Sequence, residues 1–252
     1  MPIAIGPDIA TLFMLVFARV GTLVMLMPAI GERFIPARVR LGFALFLTLA
    51  LIPVARPLLP GGGLSPAVFA TLGLELLIGL MIGITARLVV ASLQTAGNFV
   101  SQALGLAFAE SVDPTQGGQA AALGNFLMLI GVALVFATDG HHLVIAAIGG
   151  SYAVLPPGTM PPTGDAAVLA LTTLTKGFSV AVQIAAPFIV LGLLFNLGLG
   201  VLSRLMPAMQ VFFLGVPATI MLGFVLMAGV LGLMMAAYLR EISAFLLPFA
   251  PR

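Results

Sequence analysis

Cysteine and tryptophan are absent from this chain, histidine occurs twice, and only 7% of its 252 residues are charged. Without cysteine there is no disulfide framework, no iron–sulfur ligand set and no thiol nucleophile. Soluble domains carry about 25% charged residues, so this chain cannot cover a water-facing surface with them. Ten basic and eight acidic residues leave a net charge of +2. They form no basic stripe able to track phosphates, which argues against a nucleic-acid partner. Signatures of catalysis are missing too. There is no H-E-x-x-H zinc motif and no G-x-S-x-G nucleophile elbow, and "PGGGLS" lacks the lysine of a phosphate-binding loop. The chain therefore reads as a non-enzyme that needs no cofactor.

What fills the sequence is apolar: 61% hydrophobic residues, with a mean hydropathy of +1.24. A hydrocarbon core of about 30 Å takes roughly 20 helical residues to cross. Six runs approach or exceed that length, at about 9–30, 41–54, 66–93, 123–155, 166–202 and 211–239. They lack the period-2 alternation of a membrane barrel, so the expected class is an all-α membrane protein with about six transmembrane segments. The run 41–54 is short for a span. The run 123–155 is broken by "TDGHH", which suggests a hairpin or re-entrant pair, and Pro187 should kink the run 166–202. The first residues lack the basic region of a secretory signal and read as the start of helix one. Arg33, Arg38 and Arg40 would place their loop in the cytoplasm, yet Arg204 and Arg240 pull both ends of one run to the same side. That conflict suggests that some helices are not ordinary lipid-facing spans.

Few residues in these runs can carry chemistry. Arg19 and Arg87 lie inside apolar sequence, with Glu75 upstream of the second. A mid-bilayer arginine costs about 2.5–3.5 kcal/mol on insertion scales, so each should face protein or water. Arg87 and Glu75 are too far apart for a same-helix pair. Gly79 and Gly83 form a G-x-x-x-G that permits close helix approach. Asp139, His141 and His142 share one turn, a polar membrane edge or a proton relay, with too few ligands for an evident metal site. Between apolar runs lies "GLAFAESVDPTQGGQAAALGN", long, small-residued, with two acids and no base.

Four stretches, in order and covering nearly the whole chain, carry a family resemblance. They are "ARVGTLVMLMPAIGERFIPARVRLGFALFLTLALIP", "IGLMIGITARLVVASLQTAGNFVSQALGLAFAESVDP", "DGHHLVIAAIGGSYAVLP" and "NLGLGVLSRLMPAMQVFFLGVP". Together they resemble the FliR/SctT family of type III export-gate components, departing from its pattern at Asp139 and His142. The resemblance implies a multi-pass protein of the bacterial inner membrane at the flagellar basal body, in one helical export-gate domain. Residues 1–160 would form a FliP-like part and residues 161–252 a FliQ-like part. Implied partners are FliP and FliQ homologues, with which it would form a pore, FlhB and FlhA homologues beside them, membrane lipid, and the unfolded export substrates. The segment 105–119 would plug the closed channel, with Gly105, Gly117 and Gly118 giving freedom and Leu106 and Phe108 giving apolar filling. Glu110 and Asp113 would stay hydrated or paired, with a turn at Asp113–Pro114. Arg19, Gly79, Gly83, Arg87, Arg204 and Pro207 would serve assembly or packing. The competing readings are the equivalent injectisome component and a proton-coupled secondary transporter using Arg19, Glu75, Arg87 and the histidines, although no internal repeat supports the latter.

Overall fold

The computed structural model describes residues 7–32, 35–59, 66–106, 119–160, 163–206 and 211–250. Every regular element among them is helical: α1 (Pro7–Leu26), α2 (Ala37–Ala55), α3 (Pro66–Ala103), α4 (Gln119–Ala137), α5 (Gly140–Val154), α6 (Thr163–Leu205) and α7 (Val211–Leu246). Short 3-10 turns follow α2 at Arg56–Leu58 and α7 at Leu247–Phe249. Five helices are long and apolar enough to cross a membrane, or six segments if the pair α4–α5 acts as one broken span. The chain is an all-α membrane protein, as its composition requires.

The differences from the expected segments have local causes. The short run 41–54 is the middle of a 22-residue segment, Ala37–Leu58. Pro36 opens α2, and its carbonyl accepts the N–H groups of Val39 and Arg40 at 3.0 and 3.2 Å. Arg38 and Arg40 sit in this first turn, so counting apolar residues starts too late. At the other end of the next run, α3 continues to Ala103 instead of stopping at Leu93. Gln94, Asn98 and Gln102 break the hydropathy but not the helix. Spaced by four, they form one exposed row, while Leu93, Ala96 and Val100 stay buried. The break at "TDGHH" is real: α4 and α5 meet at 80°, with Asp139 in the left-handed region at φ 57°. The helix carrying Pro187 remains one element of 43 residues through the proline.

Helix length separates these elements from simple spans. At 1.5 Å per residue, the 38 residues of α3 and 43 of α6 rise about 57 and 65 Å, against a hydrocarbon thickness of about 30 Å.

The chain packs as two compact units. One comprises residues 1–89, 135–174 and 242–252, the other 90–134 and 175–241. The expected division near residue 160 concerns likeness to other proteins, and these units are defined by packing alone. In the first unit, α1 buries Leu15, Val16, Val20, Leu23 and Val24, a stripe at helical spacing, and lies against α2. Helix α5 buries Val144, Ala147, Ile148 and Tyr152 and packs on the C-terminal 3-10 turn. In the second unit, Leu93, Val100, Leu127, Ala185 and Phe188 are buried.

Candidate functional site

Arg19 and Glu75 lie in the first unit with no side-chain exposure. The guanidinium binds the carboxylate in bidentate fashion, Nε donating to Oε2 at 2.7 Å and Nη2 to Oε1 at 3.1 Å. Nη1 donates to the carbonyls of Ser151 and Leu155 at 3.1 and 2.8 Å. Those carbonyls lie at the C-terminal end of α5, where the helix dipole is negative, and that of Ser151 also accepts the Leu155 N–H at 2.9 Å. Tyr152 offers its ring face 4.3 Å from the guanidinium carbon. Glu75 receives one more donor, the N–H of Gly158 at 3.3 Å. Pro157 and Gly158 occupy the middle of a turn closed by Thr159 N–H on the Pro156 carbonyl, with Gly158 at φ +73°. A type II turn requires that left-handed conformation at its third residue, hence glycine. The sequence "PPGT" thereby aims a backbone donor at a buried carboxylate. The result is a clasp joining α1, α3, the end of α5 and the following turn, with both charges compensated.

The glycines beside the clasp explain how the two helices come close enough. Glu75, Gly79 and Gly83 follow one another by four on α3. A Cβ at Gly79 would lie 2.9 Å from Thr22 Cβ and 3.0 Å from the Arg19 carbonyl, and one at Gly83 would lie 2.7 Å from Leu26. The G-x-x-x-G is thus the seat of α1. Arg87, further along α3, meets Glu32 at 3.4 Å, where the chain has just left α1. Its side chain is 35% exposed and that of Glu32 fully buried. Each of the arginines singled out within apolar sequence, Arg19 and Arg87, has a carboxylate partner.

Other expected site residues belong to the second unit or lie outside the described residues. Gly105 ends α3. Its φ is +76°, its N–H donates to Gln102 O at 3.1 Å, and Leu106 N–H reaches Ser101 O at 2.9 Å. This pair of bonds is a Schellman cap, in which Gly105 takes the left-handed conformation that favours glycine. Phe108, Glu110, Asp113, Pro114, Gly117 and Gly118, expected in the plug, lie outside the described residues, as does Pro207. Arg204 is exposed in the last turn of α6, the favourable end for a cation.

Sequence reasoning missed three parts of this arrangement. Sequence reasoning rules out a same-helix pair of Glu75 with Arg87 but names no other partner, and the structure supplies Arg19, 56 positions away. Glu32 stands next to the arginines of its own loop in sequence, yet its partner is Arg87 on α3, 55 positions away. Gly97 and Gly124, which carry no short motif, mark a crossing of α3 and α4 so close that a Cβ on Gly97 would strike the Gly124 backbone.

Comparison with known proteins finds matches along nearly the whole chain. Residues 10–245 match the family described as "Bacterial export proteins, family 1". The chain is 48% identical over 219 residues to the flagellar biosynthetic protein FliR of Caulobacter vibrioides, covering 85% of this chain and 86% of that protein. It is 32% identical over 222 residues to the FliR of Escherichia coli, covering 85% and 82%. Similarity extends to the surface presentation of antigens protein SpaR of Shigella flexneri, 24% identical over 197 residues, with 78% and 76% covered. With a match spanning nearly its whole length, the chain belongs to family 1 of the bacterial export proteins.

Proposed function

We propose that this protein is a structural and gating subunit of the flagellar type III export channel in the bacterial inner membrane. In this reading it forms a pore with FliP-like and FliQ-like subunits, next to FlhB-like and FlhA-like ones, through which unfolded flagellar subunits pass. The observation that carries the reading is the 48% identity to a flagellar biosynthetic protein over 85% of this chain.

Three structural features support it. First, α6 and α7 expose long rows of apolar side chains, including Leu193, Leu194, Leu197, Val201, Met221 and Val225. On helices longer than a bilayer is thick, such rows call for neighbouring subunits as well as lipid. Second, an apolar groove of about 600 Å³ opens between α1 and α3, lined by Met14, Phe17, Met25, Leu72, Leu76 and Leu80. Third, the exposed Gln94, Asn98 and Gln102 give α3 a polar face without fixed charge. Carboxamides can hydrogen-bond a passing backbone without holding it by charge.

Proton-coupled transport is the weaker reading. A relay needs groups that change partners during the cycle, whereas Arg19 engages four acceptors inside the clasp. The gating part of the proposal rests on the family resemblance and the composition of segment 105–119. Co-purification tests the assembly. Mild detergent extraction from cells should bring FliP-like and FliQ-like subunits down with this chain. Recovery of a stable monomer that moves small solutes into liposomes unaided would refute it.

A further inference from the structure

We propose that Asp139, His141 and His142 form a binding site for a divalent transition-metal ion of the zinc type at the bend between α4 and α5. The chain has no cysteine and two histidines, so every imidazole it owns stands at this one turn beside a carboxylate. Ligand-capable atoms of the three side chains lie within 4.8 Å of one another. In tetrahedral coordination two ligand atoms, each bonded to one zinc ion at about 2.1 Å, lie about 3.4 Å apart. The remaining distance is small. Asp139 and His142 are 81% and 70% exposed, which leaves their side chains room to rotate and close it.

The groups do not satisfy one another as they stand. The approach of His142 Nδ1 to Asp139 Oδ1 is 3.7 Å, beyond hydrogen-bond range. The two imidazoles lie with ring centres 4.1 Å apart. His141 Nδ1 is closed off from solvent and has no hydrogen-bond partner among the described residues. A cavity of about 190 Å³ beside His141, lined also by Ile30, Arg40, Phe43 and Ile145, gives that ring room to turn. Two imidazoles and one carboxylate suit a borderline divalent ion, with water completing the coordination. Because Asp139 sits on the bend and both histidines in the next turn, bound metal braces the 80° angle and the left-handed Asp139.

The test uses the full-length chain in detergent with a histidine-free tag. Equilibrium dialysis against Zn²⁺ should give one ion per chain, and Co²⁺ should show a ligand-field spectrum. Asp139→Asn and His142→Ala change exposed side chains, which leaves the fold unchanged. Each should weaken binding about tenfold or more, since even outer-shell partners are worth that much, and His141→Ala should do the same. Thermal unfolding should move up with zinc and return with a chelator. No uptake at millimolar zinc overturns the proposal. So does uptake that persists in the His141→Ala, His142→Ala double variant, which would assign it to carboxylates elsewhere.

Discussion

Arg19 shows how an expensive residue is made tolerable at the scale of one side chain. Its charge is buried among apolar helices, and its cost is met by a bidentate carboxylate, two helix-end carbonyls and an aromatic face. Such a pair adds little stability over a well-packed apolar substitute, but losing one member strands the other. Glu75→Gln or Arg19→Met should therefore destabilise the protein by about 3–5 kcal/mol. The double replacement by leucines should cost clearly less than the sum. Denaturation in detergent, arranged as a double-mutant cycle, measures the difference; additive losses would show that the residues do not act as a pair. The sequence exposes half of this arrangement. An arginine inside an apolar run announces that a partner exists, but the partner is 56 residues away and only folding brings it near. The same holds for Arg87 and Glu32.

At the scale of helices, contacts without side chains decide the packing. Gly97 and Gly124 let the α3 and α4 backbones touch, whereas Gly83 faces the Leu26 side chain. Gly97→Ala should thus be worse than Gly83→Ala, because a backbone cannot rotate away as a leucine can. Overpacking of this kind costs about 1–3 kcal/mol. Melting temperatures of the two variants check the ranking, and equal values would mean that α3 and α4 do not cross so closely. Element type was legible throughout: every expected run is helical, and "TDGHH" marks a true break. Element ends were not, wherever polarity and helix diverge. Arg38 and Arg40 hide the start of α2. Gln94, Asn98 and Gln102 hide ten residues of α3, because an exposed amide row looks like the end of a span. The G-x-x-x-G was visible because both glycines lie on one helix. The Gly97–Gly124 crossing was not, since its glycines come from two.

For the whole molecule, the scarce charges and the abundant apolar surface have different destinations. The paired ions Arg19, Glu75, Glu32 and Arg87 lie inside one compact unit, while α6 and α7 leave apolar rows outside it. Fold class and family were both readable from the chain, because composition sets the first and four ordered stretches carry the second. The expected partners and plug came from the family resemblance alone, since nothing in the composition or spacing of one chain encodes an assembly. Deleting several residues between Leu106 and Gln119 should leave the complex intact but raise ion leakage of the closed channel, measured as membrane depolarisation. Unchanged membrane potential with normal assembly would remove the sealing role of this segment.

The clasp also imposes an order on biosynthesis. Arg19 leaves the ribosome long before the carbonyls of Ser151 and Leu155 that complete its coordination. At synthesis rates of about 5–20 residues per second, the guanidinium waits several seconds with only Glu75, itself a late arrival, to share its charge. A nascent chain halted before residue 151 therefore has the Arg19–Glu75 pair without the two carbonyls that accept from Nη1. Unfinished chains carry in this way their own mark of incompleteness, which disappears once α5 is made.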